Sequence, residues 1–560
     1  MKTQSSTAGR ALISCLVLAA TQLFFATQGF AQQKPEPAAV ISIAPLDEQI
    51  KDVEYLAKAT SEMFGAMSGV ARLQAEAFLP GFDFSKPAGV LLYFNEGEAE
   101  PKQLGMFPVT NLDDVLDKIS EFAEVEEDGT EFTIIPDGGD ELQLISKDGY
   151  AFISDVKALL GNIPADPSSM LKKAAGKYNI AAEVFPQRVP ADLRQQMLDF
   201  IKEGIESTMD QVDEVQPELQ EAQLKMQMKQ MEMVVNDFDK LTIGLNADQE
   251  THRVYLDLNM QAKPGSEMAK KMVASKPSEP SRFGGFLMDG AAMTMHNCSG
   301  LSKEDAELYA ESIDGLRDSA LAEISEDEDE VKAKILSKIS NRLADVLKKT
   351  LLDGTLDMGG AVFTEDGLNA AFAAKVVDAR SLEVSIKEIV AESESKIEND
   401  EVVFNLNSGS HAGFNLHEIV VSLDVDELDE SIEKLFGDKV TIMLAINDDQ
   451  VYLGAGRNPA ASVKKAIDAN ASAKRPELIG QYNFNFTPIM TLIAKIQPEL
   501  DMLETMREKI AKTGSDRVRV TYDVVDREMK VRVEIQDGIF QLYGTAMENF
   551  GPMGGGGADF

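Results

Sequence analysis

Residues 178–184, which read YNIAAEV, and residues 482–486, which read YNFNF, decide the fold of this chain. Both begin with Tyr-Asn and continue as short apolar runs, which predicts a β-strand in each place. A short helix that starts at a proline, Pro167 or Pro459, precedes each strand, and a long helix follows it. The same neighbours around the same strand predict that a whole module occurs twice.

The match extends outward from these two strands. Hairpins are predicted at residues 141–153 and 440–453 before the short helices, and at 239–258 and 516–535 after the long ones. Further upstream, strands at residues 103–110, 371–378 and 418–424 each run directly into a helix with a polar cap. The offset between matching elements, roughly 275 to 315 residues, is far longer than the ~20 to 50 residues of a solenoid repeat and indicates duplicated domains.

Hairpins joined by helices, with few signs of βαβ alternation, predict an α+β fold: duplicated modules of antiparallel sheet, each covered on one face by helices. The predicted division is a signal peptide at 1–31, a helical N-terminal segment at 32–80, a first α+β module at 81–275, a middle, reduced α+β unit at 276–400, a second copy of the module at 401–546, and a flexible Gly-rich tail at 547–560.

The composition is that of a globular protein, with 44% hydrophobic and 26% charged residues among 560. Acidic residues outnumber basic ones by 94 to 54, so the net charge is −40. Such a polyanion repels phosphate backbones and anionic lipid headgroups, which argues against nucleic acid or a membrane surface as the main partner.

The first 31 residues predict export. Lys2 and Arg10 precede an apolar stretch at 11–26, and the small residues Gly29 and Ala31 stand just before the expected cleavage site. We therefore expect a periplasmic, extracellular or cell-surface protein. No later run approaches the ~20 apolar residues of a membrane-spanning helix, so no integral membrane segment is expected after signal cleavage.

Five short segments carry a resemblance to a known group: residues 83–90 (DFSKPAGV), 107–112 (FPVTNL), 149–154 (GYAFIS), 178–181 (YNIA) and 533–539 (VEIQDGI). In these turn and strand motifs the mature chain resembles exported, functionally uncharacterised proteins of planctomycete-type bacteria. The resemblance implies export, but it implies no activity, cofactor or catalytic residue.

The candidate binding residues are four methionines in a helix predicted over residues 218–238: Met226, Met228, Met231 and Met233. Thioethers bind copper(I), but Met228 and Met231 also fall on an apolar stripe at helical spacing, which favours core packing. A third interpretation makes this helix a lid over a pocket for an apolar molecule, of a few hundred Å³. Neither a metal nor a cofactor is expected.

His296 and Cys298 stand two apart on a predicted strand, so their side chains share a face. Two ligands do not make a metal site, and a structural role in the core is favoured for both.

The sequence shows no set of nucleophile, base and oxyanion donors. It therefore favours an exported, soluble, acidic, non-enzymatic structural or interaction protein of the cell envelope, whose partner is an unknown envelope protein or an apolar ligand. The alternatives are a carrier of an apolar small molecule and a hydrolase whose paired carboxylates act at a cleft between modules, which needs no sequence motif.

Overall fold

The computed structural model describes residues 36–98, 100–209, 228, 231–233, 235–325, 330–394, 402–423, 434–497, 505–510 and 516–550. The chain forms two compact units. Unit 1 contains residues up to 58, 63–247 and 258–263, and unit 2 contains 59–62, 248–257 and everything from 264 onward.

The N-terminal set of elements, up to residue 262, alternates short strands with helices. Its strands are β1 (Ala39–Ile43), β2 (Ala88–Tyr93), β3 (Lys102–Pro108), β4 (Ala123–Asp128), β5 (Glu131–Pro136), β6 (Leu142–Lys147), β7 (Tyr150–Ser154), β8 (Ile180–Val184), β9 (Phe238–Asp248) and β10 (Arg253–Ala262). Its helices are α1 (Leu46–Thr60), α2 (Glu62–Ser68), α3 (Ala71–Phe78), α4 (Leu112–Ile119), α5 (Lys157–Leu160), α6 (Pro167–Ala175) and α7 (Ala191–Met209).

These strands pair in the order β4-β5-β6-β7-β3-β2-β1-β8-β9-β10, and every pairing with a described register is antiparallel. The β6–β7 hairpin turns at Asp148 and Gly149, both with positive φ. Positive φ at both central residues is the type I′ geometry, which matches the twist of the flanking strands and explains why Asp-Gly predicts this hairpin.

The C-terminal set repeats the alternation with longer helices. Its strands are β11 (Met293–Gly300), β12 (Thr355–Phe363), β13 (Asn369–Lys375), β14 (Val402–His411), β15 (Phe414–Ser422), β16 (Lys439–Ile446), β17 (Gln450–Gly456), β18 (Gly480–Asn485), β19 (Arg517–Val525) and β20 (Glu528–Gln536). Its helices are α8 (Glu267–Ser275), α9 (Lys303–Ser325), α10 (Glu330–Leu352), α11 (Ala379–Glu394), α12 (Pro459–Ser472), α13 (Phe486–Ile496) and α14 (Asp537–Phe550).

The strands of this second set pair in the order β14-β15-β16-β17-β13-β12-β11-β18-β19-β20, again antiparallel throughout. If strands are counted from the start of each set, both sheets have the order 4-5-6-7-3-2-1-8-9-10. The predicted α+β class with antiparallel strands is confirmed.

The strand pairing differs from the predicted domain division in two places. The predicted middle unit, 276–400, supplies β11, β12 and β13, which join β14–β20 in one sheet. The predicted helical segment, 32–80, supplies β1, which lies between β2 and β8. Long helical insertions separate the first strand of each set from the second, so local hairpin patterns do not reveal where that strand belongs.

One predicted correspondence also changes. The upper end of the predicted offset, 315 residues, pairs the strand–helix junction at 103–110 with the one at 418–424, yet β3 and β13 occupy the same position in the two strand orders. The equivalent of 103–110 is therefore 371–378. The two hairpins and the Tyr-Asn strands occupy equal positions in the two strand orders.

Helices contact both faces of the unit 2 sheet, whereas the sequence predicts cover on one face. Ala445 and Ile446 are neighbours on β16, so their side chains point to opposite faces. Ala445 shares a core with Val463 of α12, and Ile446 shares another with Ala379 of α11. In unit 1, α6 and α4 contact opposite faces in the same way. Strands buried on both sides need cover on both sides.

Among the described residues, every helix is too short or too polar to cross a lipid bilayer.

The contact between residue 285 and α12 gives a stability prediction. A Cβ atom at Gly285 would lie 2.4 Å from the backbone carbon of Ala469. Backbone atoms of a helix cannot move aside as the end of a flexible side chain can. We expect Gly285→Ala to lower the free energy of unfolding by about 1–3 kcal/mol, as overpacking does. Gly315→Ala, on α9 with no atom within 4 Å of the added carbon, should instead raise it by up to about 1 kcal/mol. Urea unfolding of both variants checks this, and equal stabilities would contradict it.

Candidate functional site

A cleft of about 930 Å³ opens in unit 2. Its walls carry three cationic side chains, Lys434, Arg457 and Lys495. The lining also contains two acidic residues, Glu365 and Asp366, and two apolar residues, Leu492 and Ile496.

Four separate parts of the fold build this cleft. The turn between β12 and β13 brings Glu365 and Asp366, and the end of β17 brings Arg457. The last turns of α13 bring Leu492, Lys495 and Ile496, because residues spaced three and four apart share one helix face. The helical residues just before β16 bring Lys434. Hydrogen bonds join the parts: Thr364 Oγ1 donates to the carbonyl of Pro488, and the Leu368 amide donates to the carbonyl of Leu435.

Arg457 lies between two glycines. A Cβ atom at Gly367 would be 3.2 Å from Arg457 Cδ, and one at Gly437 would be 3.7 Å from Arg457 Nε. Both glycines have positive φ, +83° and +78°, which side chains rarely tolerate. The Arg457 side chain is exposed, and its guanidinium has no hydrogen-bond or ion-pair partner among the described residues. The backbone at these two glycines thus leaves space for this side chain.

Backbone carbonyls position the two lysines. Lys495 Nζ donates to the carbonyl of Glu365 at 2.9 Å, and Lys434 Nζ donates to the carbonyl of Ile496 at 3.2 Å. An ammonium group has three donors, and a carbonyl accepts a hydrogen bond without cancelling the charge. These bonds place both positive charges at the cleft wall.

The two carboxylates in the cleft do not form the pair that a hydrolase needs. Glu365 and Asp366 are consecutive on one turn. Glycoside hydrolysis requires two carboxyl groups that flank the scissile bond from opposite sides. The cleft therefore lacks, in its described lining, the arrangement expected for the hydrolase alternative.

A second cluster of charged groups surrounds the buried carboxylate of Glu383. Glu383 Oε1 accepts hydrogen bonds from Lys387 Nζ at 2.6 Å and Asn415 Nδ2 at 2.8 Å, and Oε2 accepts one from Arg380 at 3.1 Å. His417 Nε2 lies 3.3 Å from the same carboxylate. Burial acts to raise the pKa of Glu383, but these bonds outweigh it and lower the pKa to about 2. The cluster fixes α11 to β15 and has a structural role.

The structure places His296 and Cys298 in the core of unit 2. Cys298 faces Asp357 of the neighbouring strand, and burial raises the pKa of its thiol to about 12, so the thiol is protonated and unreactive. His296 is fully buried, and neither ring nitrogen has a hydrogen-bond partner among the described residues. No group of three potential metal ligands is present in the part of the chain that the structure describes.

The methionines predicted to bind a ligand are only partly described. Met226 lies outside the described residues, and Met228, Met231 and Met233 are half-buried. Residues 231–233 and 235–237 are helical, and β9 begins at Phe238. The predicted helix therefore ends one residue earlier than expected.

Sequence patterns did not reveal the cleft. Its cations come from positions far apart in the chain, and the single local signal is the Gly-Arg-Asn-Pro turn at 456–459, which predicts a helix start. No family model, curated protein or solved structure matches this chain. The chemistry of the cleft is therefore the basis for a functional proposal.

Proposed function

We propose that this chain is an exported, non-enzymatic binding protein of the cell envelope that holds a small anionic ligand in the unit 2 cleft. The observation that carries the proposal is the Arg457 guanidinium, held between two glycines without an ionic partner among the described residues. A cleft whose described lining carries three cationic side chains is notable in a chain with net charge −40. Export rests on the sequence of residues 1–31, which lie outside the described residues.

The lining indicates the class of ligand. A guanidinium presents donors in a fixed fork that matches a carboxylate or a phosphate, and Lys434 and Lys495 add positive charge beside it. Leu492 and Ile496 offer an apolar wall. The cleft volume lies within the usual 300–1,000 Å³ of small-molecule sites. A small molecule with an anionic group and an apolar portion fits this combination.

The location of the strongly perturbed groups supports binding over catalysis. The pKa values of Glu383, His296 and Cys298 shift to about 2, 4 and 12. Catalytic groups with perturbed pKa values normally face a cleft. These three are buried in the core, outside the cleft lining.

The shared strand order supports an internal duplication. In this duplication only the second module carries a positive charge at the position that follows its seventh strand. The residue after β17 is Arg457, and the residue after β7, at the same topological place, is Asp155. An acid at that position would repel an anion. We therefore propose that the ligand binds unit 2 and not unit 1.

Binding of a simple probe tests this function. We expect octanoate to bind the full chain, and Arg457→Gln to weaken that binding at least tenfold, because a hydrogen bond to a charged group contributes about 1.5–3 kcal/mol. Calorimetric titration measures both affinities. The matched control is Arg475→Gln, an exposed arginine of unit 2 outside the cleft lining, which should bind like the wild type.

Octanamide, which lacks the charge, provides a second comparison. Octanamide binding as tight as octanoate, or an unchanged affinity in Arg457→Gln, would contradict the proposal. Purification from native envelope fractions, with mass spectrometry of co-purifying molecules, would then identify the natural ligand or partner.

A further inference from the structure

The unit 2 cleft carries charges of both signs. Besides its three cations, the described lining contains the carboxylates of Glu365 and Asp366. Both side chains are exposed, and neither carboxylate has an ion-pair or hydrogen-bond partner among the described residues. The cations outnumber the acids by one, so the lining attracts an anion and also presents acceptors to a positive group.

The neighbouring cations do not neutralise these carboxylates. Lys495 Nζ lies 2.9 Å from the carbonyl oxygen of Glu365, to which it donates a hydrogen bond, but it forms no ion pair with either acidic side chain. Arg457 lies against Gly367, the residue after Asp366, and it forms no ion pair with the two acids either. A ligand that carries an ammonium group and a carboxylate would pair with both kinds of charge at once.

One buried amide joins the acidic turn to the segment that carries Arg457. Asn369 is 3% exposed, its Nδ2 donates to the carbonyl of Asp366 at 3.4 Å, and its Oδ1 accepts a hydrogen bond from the Asn458 amide at 2.6 Å. The Arg457 amide donates to the carbonyl of Leu368 at 3.3 Å. These bonds fix the backbone of the acidic wall to that of the cationic wall before a ligand binds, which lowers the entropy cost of binding.

We propose that the ligand of this cleft is a zwitterion with an apolar side chain, either a free α-amino acid or a short peptide. Its carboxylate binds Arg457, its ammonium group binds Asp366, and its apolar part packs against Leu492 and Ile496. The ammonium group is assigned to Asp366 because this residue immediately precedes Gly367, which lies against Arg457. The inference rests on the proposed function and adds to it a positive group on the ligand.

Calorimetric titration of the full chain with three ligands of the same apolar structure tests the inference. Leucine carries both charges, 4-methylpentanoate lacks the ammonium group, and 3-methylbutylamine lacks the carboxylate. We expect leucine to bind about fivefold or more tightly than either analogue, because each charged group adds a charge-assisted hydrogen bond. Comparing leucyl-leucine with leucine then distinguishes a short peptide from a free amino acid as the source of the ligand.

The variant Asp366→Asn removes the charge that the ammonium group needs and keeps the size of the side chain. Leucine should bind it about fivefold more weakly, while 4-methylpentanoate should bind it as tightly as the wild type or more tightly, because a repelling carboxylate is gone. A general disturbance of the cleft would weaken both ligands. The matched control is Asp345→Asn, an exposed aspartate of α10 outside the cleft lining, which should leave both affinities unchanged.

Two outcomes would overturn the inference: 4-methylpentanoate binding as tightly as leucine to the wild type, and an unchanged leucine affinity in Asp366→Asn. In either case the proposed function still stands if octanoate binds and Arg457→Gln weakens that binding. If Arg457→Gln instead leaves the affinities for octanoate and leucine unchanged, the proposed function itself is wrong. The octanoate and leucine titrations therefore report the two failures separately.

Discussion

Replacing Glu383 with alanine is expected to lower the free energy of unfolding by about 1.5–3 kcal/mol, the range for a hydrogen bond to a charged group. The carboxylate is only 5% exposed and accepts hydrogen bonds from Lys387, Asn415 and Arg380. Removing it leaves Lys387 and Asn415 without this acceptor, while Arg380 keeps its hydrogen bond to Asp448. Urea unfolding at pH 7 measures the loss.

The control for this change is on the same helix. Glu388 of α11 is exposed, so Glu388→Ala should alter stability by no more than about 0.5 kcal/mol. A similar loss in both variants would show that the helix, and not the buried carboxylate, is responsible.

The effect of Glu383→Ala should also depend on pH. The pKa of Glu383 in the folded chain is about 2, below its ordinary value of 4.5. The ionised carboxylate therefore stabilises the fold fully above pH 4.5, and this contribution is lost as the pH falls toward 2. The difference between wild type and Glu383→Ala should shrink from pH 7 to pH 3, and a constant difference would contradict the pKa shift.

A second large effect is expected from His296, which should make the fold sensitive to mild acid. Burial lowers the pKa of His296 from its ordinary 6.5 to about 4. Between these values the unfolded chain binds a proton that the folded chain does not, so stability falls as the pH is lowered from 6.5 to 4. At about 1.4 kcal/mol per pH unit, the loss attributable to this residue is about 3 kcal/mol.

His296→Leu isolates this contribution. Both ring nitrogens lack a partner among the described residues, so an apolar side chain should be neutral or stabilising at pH 7.5 and clearly stabilising at pH 4.5. Unfolding curves at both pH values give the comparison. His252→Asn is the control, because His252 is 64% exposed and Asn tolerates its positive φ. If His296→Leu loses as much stability in acid as the wild type does, another group causes the effect.

His417 also makes the fold less stable as the pH falls, so His296→Leu removes only part of the acid sensitivity. Burial lowers the pKa of His417 as well, and Lys387 contributes, while Glu383 opposes the shift. The variant His296→Leu should therefore retain part of the acid sensitivity.

The sequence by itself determined the features that depend on neighbours along the chain. Asp148 and Gly149 predict their hairpin because the turn needs positive φ at two adjacent residues. Pro167 and Pro459 predict the starts of α6 and α12 because proline suits the first turn of a helix. From such local signals the antiparallel α+β class and the paired Tyr-Asn strands follow.

Only the tertiary structure decided the position of β1 and β11 in their sheets. Each precedes a long helical insertion, and its partner strands come much later in the chain. Hydrophobic periodicity indicates which face of a strand is buried, but it does not identify the strand beside it. Strands on both sides of the predicted boundaries at 80/81 and 400/401 pair with each other for this reason.

The position of the cleft also depends on contacts that the sequence alone does not predict. Arg457, Lys495 and Glu365 belong to different elements, and no spacing in the sequence joins them. The Tyr-Asn strand, by contrast, is visible in the sequence, although the role of its asparagine is not. Asn483 is buried and donates to Thr294 of β11 at 2.8 Å, across a separation of 189 residues. A buried amide needs a hydrogen-bond partner, and only the folded sheet determines which residue provides it.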